Sequence, residues 1–205
     1  MLLSIDLGMI NSTATLMVIN TRKIVRWTPI KILDKAKNPS FEIASKNLMN
    51  SLNELELTKK LENSENDIHD VIIVIELQPG RNAKTIFLSG QMFMYFTILK
   101  SSESDDPEYS NYYYRISKII TYHAKNKLNV YRPLPGDPEI KITRKDAYAA
   151  NKQQSIQHAK ILLKRYDPDW IPFFDSFKKK DDLSDSYLMG LAYIEFVIRT
   201  PPLSS

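Results

Sequence analysis

The sequence predicts a single α/β domain, a mixed central sheet of about five strands with helices on both faces, in the chain order β-β-β-α-β-α-β-α-α. Two observations carry this expectation. Three short β-rich runs open the chain with turn-sized gaps between them, as in a meander. Further on, an uninterrupted apolar run, "DVIIVIE", is followed by an apolar helical stretch and then by another β-rich run, which is the β-α-β order that a parallel crossover requires. With 205 residues, 43% of them apolar, the chain is long enough to bury one sizeable core, and a single unit over 1–205 is expected.

Each element has its own signal. Leu2 to Asp6, Ala14 to Ile19 and Lys23 to Ile32 read as strands, and the alternation in "TATLMVI" suggests a meander buried on one face. From Asn38 to about Glu62 the spacing of Phe41, Ile43, Ala44, Leu48, Leu52, Leu55 and Leu61 follows a helical face opened by Asn-Pro-Ser. Asp70 to Glu76 is β-branched and lacks alternation, as expected of a strand covered on both faces. Asn82 to Lys100 reads as an apolar helix with Asn82 as its cap, its Met92, Phe93 and Phe96 assigned to the core or a dimer interface. Ser101 to Arg115 is polar and turn-rich, an expected exposed insertion, and a strand follows at about Ile119 to Ala124. "PLPGDPEI" is a rigid loop. Thr143 to Tyr166 reads as a long helix with Thr143 and Asp146 spaced like a capping box, and Asp182 to Ile198 as a last helix with an apolar stripe through Leu188, Leu191, Ala192 and Phe196. Residues 199–205 are expected to be a flexible tail.

Composition narrows the chemistry. The chain has no cysteine, so thiolate metal sites are excluded, and His69, His123 and His158 lack the spacing of metal ligands. No apolar run is long enough to span a bilayer, and the start "MLLSIDLG" does not read as a signal peptide, so a soluble intracellular protein without membrane contact is expected. Twenty-eight basic against 24 acidic residues give a formal charge of +4, which fits a polyanionic partner and many ordinary enzymes alike.

The stretch "SIDLGMINSTA" poses the chemical question. Asp6 at a strand end either helps hold a metal that cuts nucleic acid or belongs to a nucleotide-binding loop of the actin, sugar-kinase and chaperone ATPase type. Such ATPases clasp nucleotide between two domains and need a second Gly-rich phosphate loop, which the length and five glycines of this chain argue against. Asp6 ends the first strand, Glu76 ends the central one, and Asp182 and Asp185 share a face at the start of the last helix. Taken singly, Asp182 and Asp185 complement a helix N-terminus and Asp6 is a turn residue. Together, four carboxylates on neighbouring elements would suit Mg²⁺ or Mn²⁺, with a pair of ions able to activate water and stabilise a leaving oxygen.

These segments resemble the RuvC-type Holliday junction resolvases of the ribonuclease H-like superfamily, the poxvirus resolvases above all, with the fungal mitochondrial resolvases also similar. The resemblance runs from residue 1 to about 198 through "SIDLG", "VIELQPGRNAKTIFLSGQ", "IKITRKDAYAANKQQ" and "KKDDLSDSYLMGLAY". It implies a ribonuclease H-like fold, metal ligation by Asp6, Glu76, Asp182 and Asp185, two Mg²⁺ or Mn²⁺ ions per active site, and approach of Lys141 and Lys152 to the scissile phosphate. It further implies a homodimer acting on branched DNA by paired symmetric nicks and, in a viral setting, resolution of concatemers in the host cytoplasm. The aromatic that follows the second acid in bacterial members is replaced around Leu77 to Gly80 by "LQPG". Arg81 and Lys84 at a helix start, and the run Lys178, Lys179 and Lys180, are candidate DNA contacts. Tyr112 to Tyr114 either stack on unpaired bases or cover an apolar edge. The readings left beside the resolvase are a nuclease acting on RNA or RNA/DNA hybrids and a non-catalytic nucleic-acid-binding module.

Overall fold

The structure, a computed structural model, describes residues 1–33, 40–55, 57, 69–78, 82–102, 114–143 and 146–199. Strands β1 (Leu2–Asp6), β2 (Ser12–Met17), β3 (Ile24–Ile30), β4 (His69–Glu76) and β5 (Tyr114–Tyr122) form one five-stranded mixed sheet in the order β3-β2-β1-β4-β5. The first three strands are an antiparallel meander; β4 runs parallel to β1 and β5 parallel to β4. Helices α1 (Phe41–Asn53) and α2 (Ala83–Ser102) lie between the parallel strands in sequence, as crossovers must.

Period-two alternation splits the sheet into two cores. Leu3, Ile5, Ala14, Leu16, Val71, Ile73 and Ile75 pack with α1 and α2 on one face, while Leu2, Met17, Trp27 and Val74 pack on the other with α3 (Ala147–Tyr166) and α5 (Lys180–Tyr193). The α/β architecture with a mixed central sheet and helices on both faces is therefore observed.

Several expectations change in detail. β2 is buried on both faces instead of one, because the alternating Thr13 and Thr15 turn toward α5 and bond to it instead of to water. The last helix is likewise buried from Leu183 to Ile194 except at Asp185, and begins two residues earlier than expected, at Lys180. It ends in a π-helical turn, Ile194–Ile198, which leaves Phe196 partly exposed.

The third long helix begins at Ala147, capped by Asp146, whose carboxylate accepts from Ala149 N at 2.8 Å; Thr143 instead bonds Gln153 from outside the helix. Asn82 does cap α2, accepting from Lys84 N at 3.1 Å. β5 starts at Tyr114, so the end of the expected insertion is strand, and Ser101 and Ser102 belong to α2. Residues 103–113, with Tyr112 and Tyr113, lie outside the described residues, as do Leu61, Arg81 and the tail from 200; Tyr114 is buried in the core. A 3-10 segment, Ala124–Val130, and a short helix α4 (Ile171–Ser176) carry no clear sequence signal. No helix among the described residues is long and apolar enough to cross a membrane.

Candidate active site

Ligands of open α/β sheets bind beyond the C-terminal ends of the parallel strands, and here those ends are acidic. β1 and β4 pair through Ile5 and Ile75, so the next residues, Asp6 and Glu76, emerge side by side. Their carboxyl groups come within hydrogen-bonding range of each other, and Gln78 Nε2 donates to Glu76 Oε2 at 3.1 Å. The chain turns sharply after Asp6: a Cβ on Gly8 would lie 2.4 Å from the Asn11 carbonyl oxygen, so only glycine fits. Ser12 Oγ closes that turn by donating to Gly8 O at 2.6 Å.

Helix α5 brings the second pair of acids. Its first turn is fixed on β2 by Thr13 Oγ1, which donates to the Asp182 carbonyl at 2.7 Å, and by Ser186 Oγ, which lies 2.9 Å from Thr13 Oγ1 and 2.8 Å from Thr15 Oγ1. Thr13 is the register partner of Asp6, so this anchoring sets Asp185 within electrostatic range of Asp6. Asp185 accepts from Ser155 Oγ at 2.8 Å through Oδ1 and faces Lys127 Nζ at 2.6 Å through Oδ2. Lys127 stands on the 3-10 segment that follows β5, the third parallel strand to end on this side.

The electrostatics follow from that crowding. Burial, then the charge and hydrogen bond of Glu76 and the charge of Asp185, hold the Asp6 carboxyl well above its ordinary range, and Lys127 offsets this in part. Asp182 is pushed up to about 6 by burial and by neighbouring Asp181, with a smaller contribution from Asp185. Its Oδ2 is buried with no hydrogen-bond partner among the described residues. Burial pulls the Lys127 ammonium down, but Asp185, Asp6 and Glu76 together outweigh it and raise its pKa.

The lysines separate. Lys152 pairs with Asp181 on α5, which raises its pKa, and its ammonium lies 5.0 Å from the centre of the Tyr148 ring. Lys141 is held by its backbone, which exchanges hydrogen bonds with Gln157, while its side chain is 77% exposed and approaches Glu139 at 3.9 Å. It is not brought to the acids. Lys84 sits over the Phe41 ring at the start of α2; Lys178 and Lys179 are exposed, and Lys180 donates back to Phe177 O at 2.8 Å. Sequence reasoning missed Lys127, Ser155 and Asp181. The last was visible as the third acid in "DDLSD", whereas a lone lysine and a lone serine have no local signature.

The donor set is oxygen-only and fits a hard divalent cation, with an unpartnered Asp182 oxygen available. Among the described residues no three such groups close into a ready-made cation cage, since both oxygens of Asp185 are turned to Ser155 and Lys127.

No family model matches the chain. It is similar to an uncharacterized protein, L451, of Acanthamoeba polyphaga mimivirus, at 30% identity over 127 residues, or 62% of this chain. The match spans 29% of the length of that viral protein.

Proposed function

We propose that the chain is a divalent-metal-dependent endonuclease of ribonuclease H-like fold that resolves four-way DNA junctions, in the manner of the RuvC-type resolvases it resembles. The observation that carries this reading is the convergence of Asp6, Glu76 and Asp185 from two adjacent strand ends and one helix, with Asp182 a turn away. A mixed sheet flanked by helices on both faces is the architecture the reading requires.

In this mechanism Asp6, Glu76, Asp182 and Asp185 would hold Mg²⁺ or Mn²⁺, whose charge offsets their mutual repulsion. Bound metal supplies activation of water and stabilisation of the leaving oxygen in phosphodiester hydrolysis. The protein's own groups do the rest. Ser155 and Thr13 fix α5 and so the orientation of its acids. Lys152, on the rim, offers a compact positive charge to the phosphate as negative charge builds on it. Lys84, Lys178 and Lys179 extend that charge along the backbone of the DNA arms, so binding weakens steeply with salt.

A junction of near two-fold symmetry is served by a homodimer, and the outer face of α2 offers apolar surface for one, with Ile86, Phe87, Met94 and Ile98 exposed. The viral relative is in keeping with a viral setting, in which the task is to resolve concatemeric replication products in the host cytoplasm.

The test is strand-specific cleavage of a synthetic four-way junction, beside RNA/DNA hybrid and linear duplex, with and without Mg²⁺, by parent and Asp6→Asn protein. Paired metal-dependent nicks in the junction, lost in the variant, support the reading. Preference for the hybrid replaces the substrate, and junction binding without cleavage in any metal leaves a non-catalytic module.

A further inference from the structure

Three carboxylates brought together at the ends of β1 and β4 repel one another, and the fold supplies its own answer. Lys127 Nζ stands 2.6 Å from Asp185 Oδ2, with both side chains only 21% exposed, and it also feels Asp6 and Glu76. This is no loose surface pair. Leu128 and Val130, on the same 3-10 segment, pack into the core shared by α3 and α5, which fixes the backbone from which Lys127 reaches inward. The groups facing its ammonium are thus Asp185 from α5, Asp6 from β1 and Glu76 from β4.

We propose that Lys127 is the resident counter-cation of the acid cluster, and that a divalent ion binds by displacing its ammonium from Asp185. This rests on the reading of the cluster as a metal site. Asp185 Oδ1 is taken by Ser155, so Oδ2 is the oxygen left for a metal, and the ammonium already holds it. A divalent ion on the same oxygen at ~2.1 Å would stand within a few ångströms of the ammonium, where the repulsion between cations is strong in a partly buried site. Lys127 therefore weakens metal binding in the free protein. Once displaced, its charge is free to meet a polyanion arriving at the acids.

The experiment is Mn²⁺ binding to the full chain at pH 7.5 in the absence of DNA, read from the electron paramagnetic resonance signal of free Mn²⁺. Lys127→Met and Lys127→Gln are compared with the parent and with Lys127→Arg, which keeps the charge. Folding is checked by circular dichroism, and two neutral variants guard against one failing to fold. The expected result is binding about tenfold tighter in the neutral variants than in the parent, with no such gain in Lys127→Arg. Unchanged or weaker binding by folded neutral variants overturns the proposal while leaving the metal site intact. Absence of Mn²⁺ binding by the folded parent and all variants overturns the metal-site reading itself, and the proposal with it.

Discussion

Asp182→Asn removes one charge from the acidic end of the molecule with little change in shape, and it should make the metal-free protein more stable at neutral pH. The Asp182 carboxyl is raised from 3.8 to about 6, chiefly by burial and then by Asp181. A raised acid binds its proton more tightly in the folded than in the unfolded state. Between these two values the folded chain holds more protons, so stability falls as pH rises, and above about 6 the full cost is present. At ~1.4 kcal/mol per pH unit the shift corresponds to roughly 3 kcal/mol. Asp182 is only partly buried, and solvent screening reduces this to about 1–2 kcal/mol. Urea denaturation of both proteins in EDTA from pH 4 to pH 8 measures it. The difference between variant and parent should be near zero at pH 4 and grow to about 1–2 kcal/mol in favour of the variant by pH 7.5. Added Mn²⁺ should then stabilise the parent more than the variant. A variant less stable than the parent at pH 7.5, or a difference that does not vary with pH, refutes the reasoning.

Other outcomes follow from the same contacts. Gly190→Ala places a Cβ 2.7 Å from Met17 Cε and 3.0 Å from Ser4 Cβ, where α5 packs on the sheet. The methionine tip yields but Ser4 does not, so a loss of about 1–2 kcal/mol is expected by chemical denaturation, against the ~1 kcal/mol gain that helix propensity alone would give. Asp167→Ala leaves Ile24 N, which donates to Asp167 Oδ2 at 2.7 Å, buried and unpaired, and should cost about 1–3 kcal/mol in the same assay. In single-turnover junction cleavage Lys152→Met should lose about 10²-fold, while Lys141→Met, whose ammonium points to solvent, should stay within a fewfold; the reverse order would return Lys141 to the phosphate.

What could be read from the sequence depended on whether the signal was local. β4 was legible because an uninterrupted β-branched run has few other uses, and its terminal Glu76 came with it. Asp182 and Asp185 were legible because their spacing alone puts them on one helix face. β5 begins earlier than its sequence suggests because it is an edge strand whose first half carries Arg115, Ser117 and Lys118 outward, which reads as loop. The threonines of β2 looked like a solvated face because nothing nearby in sequence announces Ser186, the buried hydroxyl that receives them. Lys127 was lost among 28 basic residues for the same reason, since only the folded chain sets it against Asp185.

The cost and the purpose of the acidic cluster belong together. A fold optimised for stability alone would not set Asp6 beside Glu76 and then bring Asp185 to them, because each added carboxylate raises the work of charging the others. Yet the arrangement is held from several directions: the Gly8 turn, the Thr13 and Ser186 hydroxyls, Ser155 and the close approach at Gly190. Those contacts position the acids, and of them the Ser155 hydroxyl, which donates to Asp185 Oδ1, offsets a little of the charge. Lys127 relieves it in part, and only by occupying an oxygen that a cation would use. Repulsion kept in place by this support, and offset at Asp185 by an ammonium on one of its oxygens, is what the proposed cation site would need, whereas a merely structural cluster gains nothing from it over apolar packing.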